Sequence, residues 1–180
     1  MHLSPGDFKA FTLKADRPVR LSVLVTPVDV RQAASLVGIS GPSKRYSAIW
    51  DTGAMMTSIS PRIAADLQLK PISVVKIHAA GNSFDSPVYK VDLVLPNGLT
   101  VLAVSVSEAG NIHGADMLIG MDIITNGDFA ITNAGHQTCF SFRFPSSSVH
   151  TDYVEEAKAL RKKQTHIDQA RKLQRKGKLR

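Results

Sequence analysis

The residues best suited to chemistry lie in "SAIWDTGAMMTSIS", positions 47–60, where an apolar run climbs to Trp50 and breaks on Asp51-Thr52-Gly53. The run resumes as Ala54-Met55-Met56. Asp-Thr-Gly has an ordinary use as a turn, because Asp bonds to its own downstream backbone and Gly accepts a positive φ. Its setting between apolar segments points further. A carboxylate held inside a fold must be paired, hydrogen-bonded or driven neutral. Acid–base work on a water molecule calls for a carboxyl group of that kind.

Other candidates are thinner. The six histidines are scattered, and His136 with Cys139 forms one His-x-x-Cys pair with no second pair, which reads against zinc. No metal and no cofactor is expected. No phosphate-cradling glycine motif and no Ser/His/Asp order stands out. Trp50 and the Phe140, Phe142 and Phe144 face read as core or interface.

These residues need elements to hold them. Residues 8–28 read as one or two strands, with "VRLSVLV" the clearest, and residues 29–43 as an excursion with a helical turn at 31–37. "RYSAIW" is a strand running into Asp51. Ser60-Pro61 reads as an N-cap and first helical residue, opening a short helix over 61–68 whose apolar face is Ile63, Ala64 and Leu67. "SVVKIHA" and "PVYKVDLVL" are strands around "AAGNS". In the second, Tyr89, Val91, Leu93 and Leu95 alternate with Lys90, Asp92 and Val94, as in a half-buried strand. "LTVLAVSV" is a strand, and "DMLIGMDIITNG" a short strand, a glycine and a short helix, with Asp122 read as its cap. "FAIT" and "QTCFSFRF" form a last hairpin.

The 180 residues carry a net charge of +7, unevenly placed. Residues 151–180 hold ten Lys/Arg and four acids, a net of +6, and the first 150 are close to neutral. Asp152 with Glu155 resembles a capping box that opens a polar helix running to about Gly177. That basic segment is a solvated charge run, or it binds acidic partners such as nucleic acid, or its thin stripe of Leu160, Ile167 and Leu173 docks on a partner subunit; all three readings stand. The single Cys139 fits a reducing compartment, and the start lacks a basic-then-apolar leader, so cytoplasmic location is expected. No stretch is long and apolar enough for a bilayer span, and no membrane partner is expected.

"AIWDTGAMMTSIS" resembles the active-site segment of the retropepsin-like aspartic proteases: apolar strand, Asp-Thr-Gly-Ala, apolar strand. "MLIGMDIIT" is similar to their second landmark, with Leu118, Ile119 and Gly120 in its positions. Between the two lies "VVKIHAAGNSFDSPVY", in the interval of the family's flap. The "SPRIAADLQL" and "SPVYKVDLVLPNG" runs look more like bacterial and phage-type members. The excursion at 29–43, a flap with Gly81 alone, and the basic segment depart from the retroviral pattern.

The resemblance implies an all-β, single-domain acid-protease barrel over residues 1–145 with one or two short helices, a linker at 146–150 and a basic helix at 151–180. It implies an endopeptidase in which Asp51 is catalytic, Thr52, Gly53 and Ala54 support the loop, and His78, Ala79, Ala80, Gly81 and Asn82 form the flap over substrate. Asp-Thr-Gly occurs once, so the partner carboxylate is expected from Asp51 of a second subunit, with Thr52 bonding across the dimer. Pepsin-like relatives have Ser at the position of Ala54, whose hydroxyl favours the ionised carboxyl; without it activity is expected nearer neutral pH. The alternative is a non-catalytic dimeric module gripping a peptide or nucleic acid.

Overall fold

The computed structural model describes residues 8–38, 41–79 and 82–177. They form two units, residues 1–146 and residues 147–180.

The first unit is almost all strand. Strands β1 (Lys9–Lys14), β2 (Val25–Gln32), β3 (Lys44–Trp50), β4 (Ser58–Ile59), β5 (Ser73–Ala79), β6 (Asn82–Val94), β7 (Thr100–Glu108), β8 (Met117–Ile119), β9 (Asp128–Thr132) and β10 (Cys139–Phe144) alternate with three short helices. These are α1 (Ala34–Val37), α2 (Pro61–Asp66) and α3 (Met121–Ile124). The main sheet runs β2-β3-β8-β4-β7-β6-β5. A further pairing of β2 with β6, from Asp29↔Val94 to Gln32↔Val91, closes six strands into a barrel and leaves β5 hanging on β6. Closure removes two sheet edges that would otherwise need covering. A small sheet, β1-β10-β9, accompanies it. The all-β class expected from the sequence is the class observed.

Alternation along the strands sends Val28, Val30, Ala48, Val91, Leu93, Val106, Met117 and Ile119 into one core, joined by Ile59 and Ile63. Trp50 ties the small sheet to the barrel. Its ring lies 5.0 Å from Phe142, 5.2 Å from Phe140, 5.8 Å from Phe11 and 6.0 Å from Phe129. Its indole N–H donates to Thr26 Oγ1 at 3.0 Å, so the polar end is satisfied. The residue just before Asp51 is therefore immobilised on several sides.

Several local expectations are corrected. "VRLSVLV" is not a strand until Val25. Val19, Leu21 and Val23 remain 37–47% exposed. Thr138 replaces a strand partner there: its backbone N–H donates to Val19 O and its hydroxyl accepts from Leu21 N. Helix α2 ends at Asp66, two residues early, and Ser60 precedes it without a side-chain cap bond. Asp92, placed by alternation on the polar face, is 1% exposed. Arg31 pairs with it at 3.3 Å, and the backbone N–H groups of Ala34 and Ala103 also donate to it. A charge so enclosed is tolerated because each oxygen is hydrogen-bonded.

The second unit is one helix, α4 (Tyr153–Gly177). Asp152 Oδ1 accepts from the backbone N–H of Val154 and Glu155, which satisfies two of the helix's orphan donors. The reciprocal half of a capping box is missing, since Glu155 turns to Lys158 at 2.6 Å.

Candidate active site

Strand β3 delivers Asp51 to the end of the barrel beside β8, its parallel neighbour in the register Ala48↔Met117 to Trp50↔Ile119. The Asp51 N–H continues that ladder, donating to Ile119 O at 2.9 Å. The chain then turns. Gly53 N donates to Asp51 Oδ1 at 2.8 Å, and Ala54 N to Asp51 O at 3.2 Å. The carboxylate thus holds its own loop, as the turn reading required. The positive φ of that reading is not adopted by Gly53; a Cβ there would stand 3.2 Å from Asp51 Oδ1. Glycine serves here by leaving room for the carboxyl group.

The loop is less enclosed than its apolar flanks suggested. Asp51 and Ala54 are half-buried, and Thr52 and Gly53 are exposed. Met55 is 88% exposed, so the second apolar strand starts only at Ser58. An open depression of about 410 Å³ lies beside Met55 and Met56, lined also by Leu102, Val104 and Ile123.

Leu118, Ile119 and Gly120 run past Asp51, whose N–H donates to Ile119 O. Gly120 is enclosed, and a Cβ on it would meet the backbone of Met56 at 2.7 Å and the carbonyl oxygen of Ala54 at 2.9 Å. Only glycine lets the two segments touch. Met121 N donates to Ala54 O at 2.8 Å and Asp122 N to Met55 O at 3.2 Å.

One residue that holds this junction has no role in the sequence reading. Thr57, fully buried, accepts from Gly120 N at 3.1 Å and donates to Asp122 Oδ1 at 2.7 Å. Its backbone N–H donates to both oxygens of Asp122 at 3.0 Å. Asp122 is therefore not the cap of α3. The N-cap is Gly120, and the carboxylate reaches across to the segment that follows Asp51. The available signal was a lone threonine inside "AMMTSIS".

Asp116, just before β8, performs a similar service. It accepts from Ser47 N and Ser47 Oγ at 2.9 Å and from Arg62 at 2.9 Å, and Ser60 N donates to its backbone oxygen. Burial alone would raise its pKa; the Ser47 donors and Arg62 outweigh it and hold the carboxyl below its ordinary value.

The expected flap is the hairpin of β5 and β6, in register from Ser73↔Val88 to Ala79↔Asn82. His78, Ala79 and Asn82 stand at its end, and Ala80 and Gly81 lie outside the described residues. Val74 is 66% and Phe84 44% exposed, so the hairpin presents apolar side chains to its surroundings.

A closed β barrel with a carboxylate loop braced by a Gly-ended strand is the architecture of an acid protease. A family model described as aspartyl protease matches residues 34–123, half of the chain, and the chain belongs to that family. It is an aspartic-type endopeptidase, in agreement with its retropepsin-like sequence features. None of the curated proteins matches it. Among solved structures, it is similar to a retropepsin-like aspartic protease from Rickettsia conorii at 12% identity and a TM-score of 0.47, covering 79% of this chain and 98% of that one. It is also similar to the Simian Foamy Virus (mac) protease at 17% identity and a TM-score of 0.37, covering 56% and 92%. Among the described residues no helix is long and apolar enough to cross a membrane.

Proposed function

We propose that the chain hydrolyses peptide bonds with a water activated by a pair of Asp51 carboxyls, one from each of two identical subunits. One observation carries this reading. Asp51 stands on a partly open loop, and Asp122, the carboxylate that follows the second landmark, commits both oxygens to Thr57. The second acid is then best supplied by a two-fold axis, which repeats the same loop.

Two carboxyls held close share one proton, because both cannot ionise. The ionised member takes a proton from the trapped water as it attacks the scissile carbonyl. The protonated member donates a hydrogen bond to the carbonyl oxygen, and a proton then reaches the leaving nitrogen. The exposed Thr52 is placed on this reading at the contact between the two loops. The β5–β6 hairpin closes over the substrate, its backbone adding to an extended peptide. The one cysteine supports a reducing compartment such as the cytoplasm.

The test is Asp51→Asn against wild type on an unfolded protein substrate, with and without a pepstatin-type inhibitor. Asn is nearly isosteric, so fold and sedimentation should be unchanged while cleavage disappears. Cleavage by the variant near the wild-type rate would sink the reading. Specific activity should also fall on dilution below the dimer dissociation constant; activity proportional to concentration in a purely monomeric sample refutes the shared site.

A further inference from the structure

The barrel's chemistry makes no use of α4, yet nearly all of the chain's excess charge sits in residues 151–180. We propose that α4 is a docking surface for the phosphate backbone of duplex nucleic acid, read without regard to base sequence.

The observations are these. The helix has 25 residues, a length of about 37 Å at ~1.5 Å per residue. Of its described side chains every one is exposed. Its charges are poorly neutralised from within. Among the described residues its one ion pair is Lys158 with Glu155, and Asp168 accepts from the neutral Gln164 at 3.0 Å. Arg161, Lys162, Lys163, Arg171 and Lys172 enter no ion pair among the described residues.

The cations are also arranged. Positions 158, 162, 165, 169 and 172 follow one another at alternating steps of four and three, which places Lys158, Lys162, Thr165, Gln169 and Lys172 along one helical face, with Glu155 at its N-terminal end paired to Lys158. Arg161 stands beside Lys158 and Lys162. The acids Glu156 and Asp168 fall off that line.

Two other occupants fit less well. Tyr153, Leu160 and Ile167 recur every seven residues and stay 37–64% exposed. That is one residue per heptad, whereas a coiled-coil seam needs two. Pairing two copies in parallel would also set one +6 segment against another. The same single-residue stripe is too narrow for the wide apolar face that an interfacial membrane helix buries. A row of exposed cations suits phosphates.

The magnitude follows from the count. On that face Arg161, Lys162 and Lys172 are unpaired; three counterions released give a slope of about −2.7 in log affinity against log salt, or roughly 40-fold between about 50 and about 200 mM salt.

The experiment uses the full chain and a fluorescent random-sequence DNA duplex of about 20 base pairs, read by anisotropy across a salt series. The comparison is Arg161→Gln/Lys162→Gln/Lys163→Gln, since Gln keeps helix propensity and removes charge. The wild type should show the steep slope. The triple variant should lose roughly two counterions' worth of it, since Lys163 lies off that face, with unchanged thermal unfolding and peptidase activity. A flat salt dependence, or equal binding by the variant, overturns the proposal. So does tighter binding to phosphatidylserine vesicles than to the duplex, which assigns the surface to membranes. Self-association of the wild type that the triple variant lacks, without duplex binding, assigns it to a second copy. Peptidase activity is measured separately, so failure here and failure of the protease reading cannot be confused.

Discussion

Replacing Gly120 by alanine tests the brace behind Asp51. An added Cβ would lie 2.7 Å from the backbone carbon of Met56 and 2.9 Å from the carbonyl oxygens of Ala54 and Met56. Ordinary contact begins at 3.4 Å, so the two backbones must part by about 0.7 Å. No rotamer change relieves this, because every atom met is main chain. Overpacking of this kind costs about 1–3 kcal/mol. Strain on the Met121 N–Ala54 O and Gly120 N–Thr57 Oγ1 bonds adds up to ~1 kcal/mol. A loss of about 1–4 kcal/mol is expected in urea unfolding. Asp51 N donates to Ile119 O on the same strand, so the carboxyl moves too. A displacement approaching ~1 Å can cost ~100-fold in turnover. Gly53→Ala is the control. Its Cβ would meet one side-chain oxygen, Asp51 Oδ1, at 3.2 Å on an exposed loop. It should lower kcat while changing stability by about 0.5 kcal/mol or less. The reasoning fails if Gly120→Ala unfolds at the wild-type urea midpoint, or if Gly53→Ala is the more destabilising of the two.

Asp116 makes stability sensitive to acid. Its folded pKa lies below the ordinary 3.8, so its contribution is present above that value and lost as pH falls through the folded one. Asp116→Asn should be less stable at neutral pH and decline less on acidification; parallel urea-midpoint curves would contradict this. Tyr46 and Tyr89 are pushed up to about 12, first by burial and then by hydrogen bonds to Asp66 and Glu108. The stability they contribute is whole below their ordinary 10 and is lost toward 12. Tyrosinate absorbance should show two late-ionising phenols, and two ionisations near 10 would refute the burial argument. Ala54→Ser should shift the pH optimum of peptidase activity downward by supplying a donor that favours the ionised carboxyl; an unmoved or raised optimum counts against it.

The brace shows how little of the machinery is local. Asp51 directly follows β3, but its position depends on Asp116, Gly120 and Asp122, which follow it by sixty-five residues or more. A carboxylate that accepts several donors is costly to replace singly, because its partners are left buried and unpaired.

The sequence by itself determined the strand-rich class, the break at Asp51, the Leu118-Ile119-Gly120 landmark, the aromatic face of Phe140 and Phe142, and the placement of charge in residues 151–180. Each is a local pattern: an alternation, a turn tripeptide, a glycine after an apolar run, a count of charges. It misled where pattern and partner part company. Residues 19–24 alternate like a strand, but the side chain of Thr138 takes the place of a neighbouring strand. Asp92 sits at a polar position of β6, and the fold buries it because Arg31 arrives from β2. Asp122 has the spacing of a helix cap, but the Thr57 donors point at it from the other side of the junction. Tertiary structure alone decided these, and the closing of β2 on β6. Periodicity along a chain states which face is apolar, whereas hydrogen-bond partners are chosen among residues that only folding makes neighbours.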